Sequence, residues 1–377
     1  MYQKVIKESN ENKIFKYIFT NKQNFVITDI SENLNMSFPT VKRVVDIFLE
    51  KNIIIEKNKV GQGAGRKARE YSFNPLFCHS IGLRITPESI KIILIDATIK
   101  IKKEKFYTKE KNMYIMDFLE NSIKDFLTLL TPEEKISLLG IGIATRGIVN
   151  VETNTVEVSS NFKFPLTELK KIENIFNIPI LIENESNLAG ITESIIGPAS
   201  NLNHFISLTL SDTIGCSSFQ KDNNNNFSFK AGRIHHMNIN SDGNLCECGF
   251  KGCLGTYISN KALLLEFKKF YSEINNFDEI FQDKYLKNSY GKLIIDSYIK
   301  HLALGIKNLL FFSNPEKLII SGEICKHKKF IEDDLKKEIY VPNHIFYRGP
   351  ETIIFSQFNE NTSLIGASLF PIVDSLF

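Results

Sequence analysis

The chain lacks any apolar run near the roughly 18 to 20 residues that a membrane-crossing helix needs. Its first residues, MYQKVIKESNENK, hold no apolar leader core. These two absences exclude spanning and secretory classes and lead to the expectation of a cytoplasmic protein with no membrane partner. A disulfide framework is missing as well. Of six cysteines, three cluster and the others, Cys78, Cys216 and Cys325, are scattered, the usage of a reducing compartment. The chain has no large charge of one sign, and a net +3 by itself says little about partners. Nor is it poor in apolar residues, since 43% hydrophobic and 24% charged residues exclude disordered and fibrous classes. At 377 residues it is too long for one typical domain, and two or three are expected.

Against these absences stands one dense stretch, AGRIHHMNINSDGNLCECGFKGCLGTYI at 231–258. His236, Cys246, Cys248 and Cys253 form His-x9-Cys-x-Cys-x4-Cys within eighteen residues. One imidazole and three thiols are the donor set of a closed, structural zinc site, which staples a loop and performs no chemistry. Gly243, Gly249, Gly252 and Gly255 are expected to supply its tight turns. The alternative is reduced thiols or a disulfide pair.

Charge is unevenly distributed. Residues 1–75 carry 13 Lys and Arg against 8 Asp and Glu, a net of +5 that leaves −2 for the rest, as expected where a small segment meets a polyanion. Ile14, Tyr17 and Ile18 mark a first helix over 11–19. Ile27, Ile30 and Leu34 mark a second, with Thr28 as its expected cap. Ser37 caps a third, with Pro39 in its first turn and Val41, Val44, Val45, Phe48 and Leu49 as its buried stripe. Two short helices around a tight turn read as a helix-turn-helix, with Ser37, Thr40, Lys42 and Arg43 toward DNA. NIIIEKN, a Gly-rich basic turn and EYSFN read as a hairpin wing carrying Arg66, Lys67 and Arg69, suited to phosphate or the minor groove. The alternative is a generic helical packing module.

Beyond Asn74-Pro75 the texture becomes α/β. CHSIGLRI, SIKIILID and TIKIKKEKFY form a meander. A helix over 112–130, strand LLGIGIAT, helix 166–176, strand IPILIEN and helix 186–196 follow. From residue 204 the strand-rich texture returns with HFISLTL and CSSFQK, then helices over 259–273, 290–312, 326–338 and 363–375 and strand KLIIS. A duplicated α/β body with two halves is the inference.

The segments GRKAREYSFN, GIGIATRGIVN, IENESNLAG and GRIHHM with CECGFKGCLGTYIS resemble the ROK family, in its transcriptional-repressor branch with the xylose and N-acetylglucosamine repressors. The resemblance implies an N-terminal winged helix-turn-helix (1–75) joined to an actin-like, hexokinase-type, ribonuclease H-like body of two lobes (76–377). Those lobes fall roughly at 76–185 with the C-terminal helix, and at 186–362. It also implies zinc, a sugar effector, and a homodimer or tetramer on a double-stranded DNA operator.

Departures from the family pattern lie where a kinase would need its chemistry. The first phosphate loop, D-x-G-G-T in the family, is Arg84-Ile85-Thr86-Pro87-Glu88 here, and the second, G-T-G-I-G, is Ser211-Asp212-Thr213-Ile214-Gly215. Pro87 lacks a donor and two carboxylates would face phosphate, so no ATP and no catalytic residue are expected. The family's catalytic Asp is matched by Glu185, its G-E-x-G-H places Arg233 and His235 where Glu and Gly stand, and its C-L-E ends here in Gly255. Asn161, Asn184, Glu185, Arg233 and His236 remain as effector contacts. Arg84, Arg146 and Arg233 replace other residues, which fits an anionic sugar derivative. The alternatives are a decayed pocket with internal salt bridges, an effector-independent regulator, and a sugar kinase using Glu185 as base.

Overall fold

Helices appear where the apolar period puts them, with boundaries moved by local hydrogen bonds. A computed structural model describes residues 2–21, 24–60, 68–150, 155–159, 162–222, 227–340 and 349–376. Helix α1 (Tyr2–Asn21) starts well ahead of the expected residue 11. It buries Ile14, Phe15, Ile18 and Phe19, while Tyr17 is half-buried. The rings displace the tyrosine because Phe15 meets Phe48 and Phe73 edge-on at 6.1 and 5.4 Å.

Helix α2 (Ile27–Asn33) begins at a Val26 cap and not at Thr28, because Asp29 reaches back to accept the Val26 N–H at 3.5 Å. It ends in a Schellman turn, in which the Met36 N–H donates to Ser31 C=O at 2.9 Å and the Asn35 N–H to Glu32 C=O at 3.3 Å. Asn35 takes φ 51°, which turns the chain into α3 (Phe38–Glu50). Ser37 caps α3 as expected, its Oγ accepting the Thr40 N–H at 3.4 Å. Val41, Val44, Val45 and Phe48 are buried and Leu49 half-buried. Strands β1 (Ile54–Val60) and β2 (Ala68–Phe73) pair antiparallel, and Phe25 bonds reciprocally to Tyr71 at 2.9 and 2.8 Å.

The next strands, β3 (His79–Ile85), β4 (Ser89–Asp96) and β5 (Ile101–Thr108), form the expected meander. The third starts after Thr98 because Asp96 closes a turn there, its Oδ1 accepting the Thr98 and Lys100 N–H groups at 2.9 and 3.1 Å. Helices α4 (Ile115–Thr128) and α5 (Pro132–Ile136) lead to β6 (Leu138–Thr145), parallel to β3. A small antiparallel sheet of β7 (Ile148–Asn150), β8 (Thr155–Ser159) and β9 (Phe162–Pro165) follows, its strands too short for alternation to reveal. Helix α6 (Leu166–Phe176) and β10 (Ile180–Asn184) complete a sheet ordered β10-β6-β3-β4-β5. Its core packs Ile81, Leu83, Ile92 and Ile143 against Leu119, Ile123 and Phe126 of α4.

The second half repeats the plan. After α7 (Glu185–Ile196) come β11 (His204–Leu210), β12 (Ile214–Lys221) and β13 (Phe227–Gly232), again antiparallel. Helices α8 (Gly255–Ile258), α9 (Asn260–Lys268), α10 (Asp283–Leu286) and α11 (Ser289–Ser313) follow. Strand β14 (Lys317–Gly322) runs parallel to β11, and α12 (Glu332–Ile339) precedes β15 (Ile353–Phe355), parallel to β14. Helix α13 (Thr362–Leu376) closes the chain. The sheet order is β13-β12-β11-β14-β15, with a core running from Leu208 and Ile320 into Leu302 and Ile306 of α11. Two expected helices are shorter. That over 259–273 stops at Lys268, and that over 326–338 divides into a 3-10 turn, Glu323–Phe330, and α12. Contacts group the chain into two units, Met1–Glu183 with Ala367–Phe377, and Asn184–Gly366. No described helix is long and apolar enough to cross a membrane.

Candidate metal centre and nucleic-acid interface

Backbone pairing assembles the His/Cys cluster. Ile239 N–H donates to Gly252 C=O at 2.9 Å and Leu254 N–H to Met237 C=O at 2.8 Å, which lays the segment after His236 beside Cys253. A tight turn brings in the other thiols, with Cys246 N–H on Phe250 C=O at 2.8 Å and Gly249 N–H on Cys246 C=O at 2.9 Å. Gly249 (φ 90°) and Gly252 (φ 71°) take left-handed backbone that a side chain would strain. Gly243 closes a turn as expected, its N–H donating to Asn240 C=O at 3.1 Å, whereas Gly255 starts a helix instead. They make room, Gly243 for the Tyr257 hydroxyl and Gly255 for the His235 ring.

The donor atoms of His236, Cys246, Cys248 and Cys253 all lie within 4.8 Å of one another. His236 Nδ1 is 3.6 Å from Cys246 Sγ, and Cys248 Sγ is 3.6 Å from Cys253 Sγ. A tetrahedron with metal–sulfur bonds of about 2.3 Å has edges of about 3.8 Å, so these residues fit an ion of that size. Cys246 and Cys253 are buried, His236 and Cys248 exposed. Burial and the neighbouring thiols push Cys253 up to about 12, while the Phe250 N–H holds Cys248 below the ordinary thiol value. A bound dication reverses that penalty by deprotonating its ligands.

The expected DNA contacts lie mainly on α3. Ser37, Lys42 and Arg43 are exposed and Thr40 half-buried. Lys42 pairs with Asp46 one turn on at 2.6 Å, and Arg69 on β2 pairs with Glu56 on β1 at 3.2 Å. Such exposed pairs contribute about 0–1 kcal/mol, so exchanging them for phosphate costs little. Arg66 and Lys67 lie outside the described residues, as does Asn161.

Of the remaining expected effector contacts, Asn184 caps α7, its Oδ1 accepting the Ser186 N–H at 2.9 Å. Glu185 is 5% exposed in the first turn. Arg233 is exposed just past β13, and His236 belongs to the metal cluster. Arg84 lies on β3 in register with Lys91 and Ala144. One residue that sequence reasoning did not place is His235, whose ring fills the space above Gly255. The two substitutions are each visible in the sequence, but their pairing is a fact of space.

A model of the ROK family matches residues 80–372. The chain is 27% identical to a xylose repressor of Bacillus spizizenii, over 89% of this chain and 88% of that protein. Among solved structures it is similar to a ROK family transcriptional regulator described as a homolog of the E. coli MLC protein, with TM-score 0.72, 18% identity, and coverage of 97% and 96% of the two chains. It is also similar to a ROK family glucokinase from Streptomyces griseus, solved with glucose and AMPPNP, with TM-score 0.63 and 18% identity. That match covers 77% of this chain and 98% of that one.

Proposed function

The chain belongs to the ROK family, and from that premise we propose that it is a sugar-responsive transcriptional repressor without kinase activity. The observation that carries this reading is coverage. A whole glucokinase chain accounts for 77% of this one, whereas the regulator's fold extends over 97%. The family model begins at residue 80, and ahead of it stand α1–α3, β1 and β2 with the chain's basic surplus. This order, with its Schellman turn before a capped α3, supports a winged helix-turn-helix over 1–75. The ROK body then spans 76–377, with lobes at about 76–185 plus the last helix and 186–362.

In this reading Thr40, Lys42 and Arg43 meet the major groove, Ser37 meets phosphate, and Arg66, Lys67 and Arg69 meet backbone or minor groove. A homodimer or tetramer sets two α3 helices about 34 Å apart on an operator. The His/Cys cluster holds a structural zinc. Asn161, Asn184, Glu185, Arg233 and His236 contact the effector, a sugar or sugar derivative.

Both phosphate loops favour lost kinase activity. A cradle for phosphate needs its N–H and O–H donors turned outward. Here Ser211 spends its N–H and its Oγ–H on Thr213 C=O at 3.1 and 2.9 Å. Thr86 Oγ1 accepts the Ser89 N–H at 3.0 Å and lies 2.9 Å from Ser89 Oγ, with Pro87 in the same turn.

Fluorescence anisotropy with DNA from beside the protein's own gene tests the reading. Nanomolar binding that weakens with log salt at about 0.9 per phosphate contact is expected, with no ATP turnover on hexoses. Binding no tighter than to random DNA, or sugar-dependent ATP hydrolysis, overturns it.

A further inference from the structure

A Cβ on Gly255 would lie 2.1 Å from both Nδ1 and Cε1 of His235, so the imidazole occupies the space of any side chain at 255. The ring is held from a second side, since its Nδ1 accepts the Ile214 N–H at 3.5 Å. The proton therefore sits on Nε2, a donor. A third contact sets His235 against His236, edge to face, with centroids 4.9 Å apart. Contacts continue toward α7, because a Cβ at Gly215, next to Ile214, would fall 2.0 Å from the Ser186 hydroxyl, and Ser186 follows Glu185. The rim from α7 past His235 to the metal cluster is thus continuous within one unit.

Resting on the effector reading above, we propose that His235 sets the effector's class, and that the effector is a small sugar carrying a carboxylate or phosphate. A neutral sugar hydroxyl needs an acceptor for its proton, and leaving that proton unpaired in a desolvated site weakens binding. Along 233–236 and at 255 this rim offers a guanidinium and two imidazoles and no carboxylate. An oxyanion has acceptors alone and matches such donors with charge-assisted bonds. The carboxylates nearby leave that role open. Glu247 is exposed and pairs with Lys261 at 3.3 Å, and Glu185, 5% exposed at the far end of the rim, suits the sugar's remaining hydroxyls.

Isothermal titration of the full-length protein provides the test. One arm holds neutral D-xylose, D-glucose and N-acetylglucosamine, another D-xylonate and D-glucuronate, a third D-glucose 6-phosphate, so that carboxylate and phosphate are told apart. At least one anion should bind tenfold or more tighter than its neutral parent, and His235→Ala should remove most of that preference. Gly255→Glu alone should lower Tm through its clash with the ring, and His235→Gly with Gly255→Glu should restore Tm and shift preference to the neutral sugar. A neutral sugar preferred by the native chain, an unchanged preference in His235→Ala, or no anion bound while DNA binding persists each overturns the proposal. Loss of specific DNA binding in the native chain would instead sink the repressor reading on which it rests.

Discussion

The two five-stranded sheets share one order and are finished differently. In the first, the chain leaves β5 at Thr108 and enters α4 at Ile115. In the second it leaves β13 at Gly232 and reaches α8 only at Gly255, and the intervening loop carries all four candidate metal donors. Buried acids differ as well. Glu134 in the first unit is held by the Lys103 ammonium at 2.6 Å and the Thr131 N–H at 2.8 Å. Glu193 in the second is fully buried, with Ser356 Oγ donating to Oε1 at 2.5 Å and no partner for Oε2 among the described residues. Duplicated topology fixes where strands go, while chemistry collects in the loops and seams that topology leaves free.

Removing metal from the proposed zinc site should break the comparison most sharply. A closed zinc site contributes on the order of 10 kcal/mol to folding in small zinc domains, and 1 kcal/mol shifts Tm by about 2–4 °C in a body of this size. Chelation or Cys253→Ser should therefore lower the melting temperature by ten degrees or more and open 233–254 to protease before any site in the first unit. Calorimetry with mass-mapped proteolysis reads both. An unchanged melting temperature with chelator would remove the metal from the account.

Next in size is the pH dependence of the two acids. Burial, only partly offset by Ser356, raises Glu193 to about 7. Its contribution is fully present below the unfolded value near 4.5 and is lost as pH rises through about 7. The loss amounts to about 3 kcal/mol at most. Glu134 behaves oppositely. Burial works to raise it, but Lys103 and the Thr131 N–H bring it below the ordinary value, so its contribution is present above about 4.5 and is lost in acid. Glu193→Gln should flatten the decline in Tm between pH 5 and 8, and Glu134→Gln should flatten the acid limb. Parallel profiles for Glu193→Gln and the native chain would mean that the buried carboxyl finds a partner when it ionises.

Sequence made the first layer of this contrast legible and hid the second. The spacing of His236, Cys246, Cys248 and Cys253 is local, so the cluster could be read before any fold was known, and the runs of β3, β4, β6, β11 and β14 are strongly apolar. Caps were legible where the side chain acts on its own helix, as at Ser37. At Thr28 the choice failed, because Asp29 competes for the same turn. Hidden were pairings between distant positions. Nothing in the chain order shows that His235 fills the space over Gly255, or that Glu193 meets no cation among the described residues, since both depend on what packs alongside.

The smallest expected effect tests whether the head and the second unit are separable. Lys42 is half exposed, and its pair with Asp46 is worth a few tenths of a kcal/mol. Lys42→Ala should leave Tm and metal content unchanged while lowering the slope of log affinity against log salt by about one, the loss of a single phosphate contact. Arg43→Ala, at an exposed position on α3, should instead weaken specific DNA more than random DNA if it reads a base edge. An equal loss on both sequences would reassign Arg43 to backbone contact, and a fall in metal content with either substitution would show that the head and the His/Cys loop do not behave as independent parts.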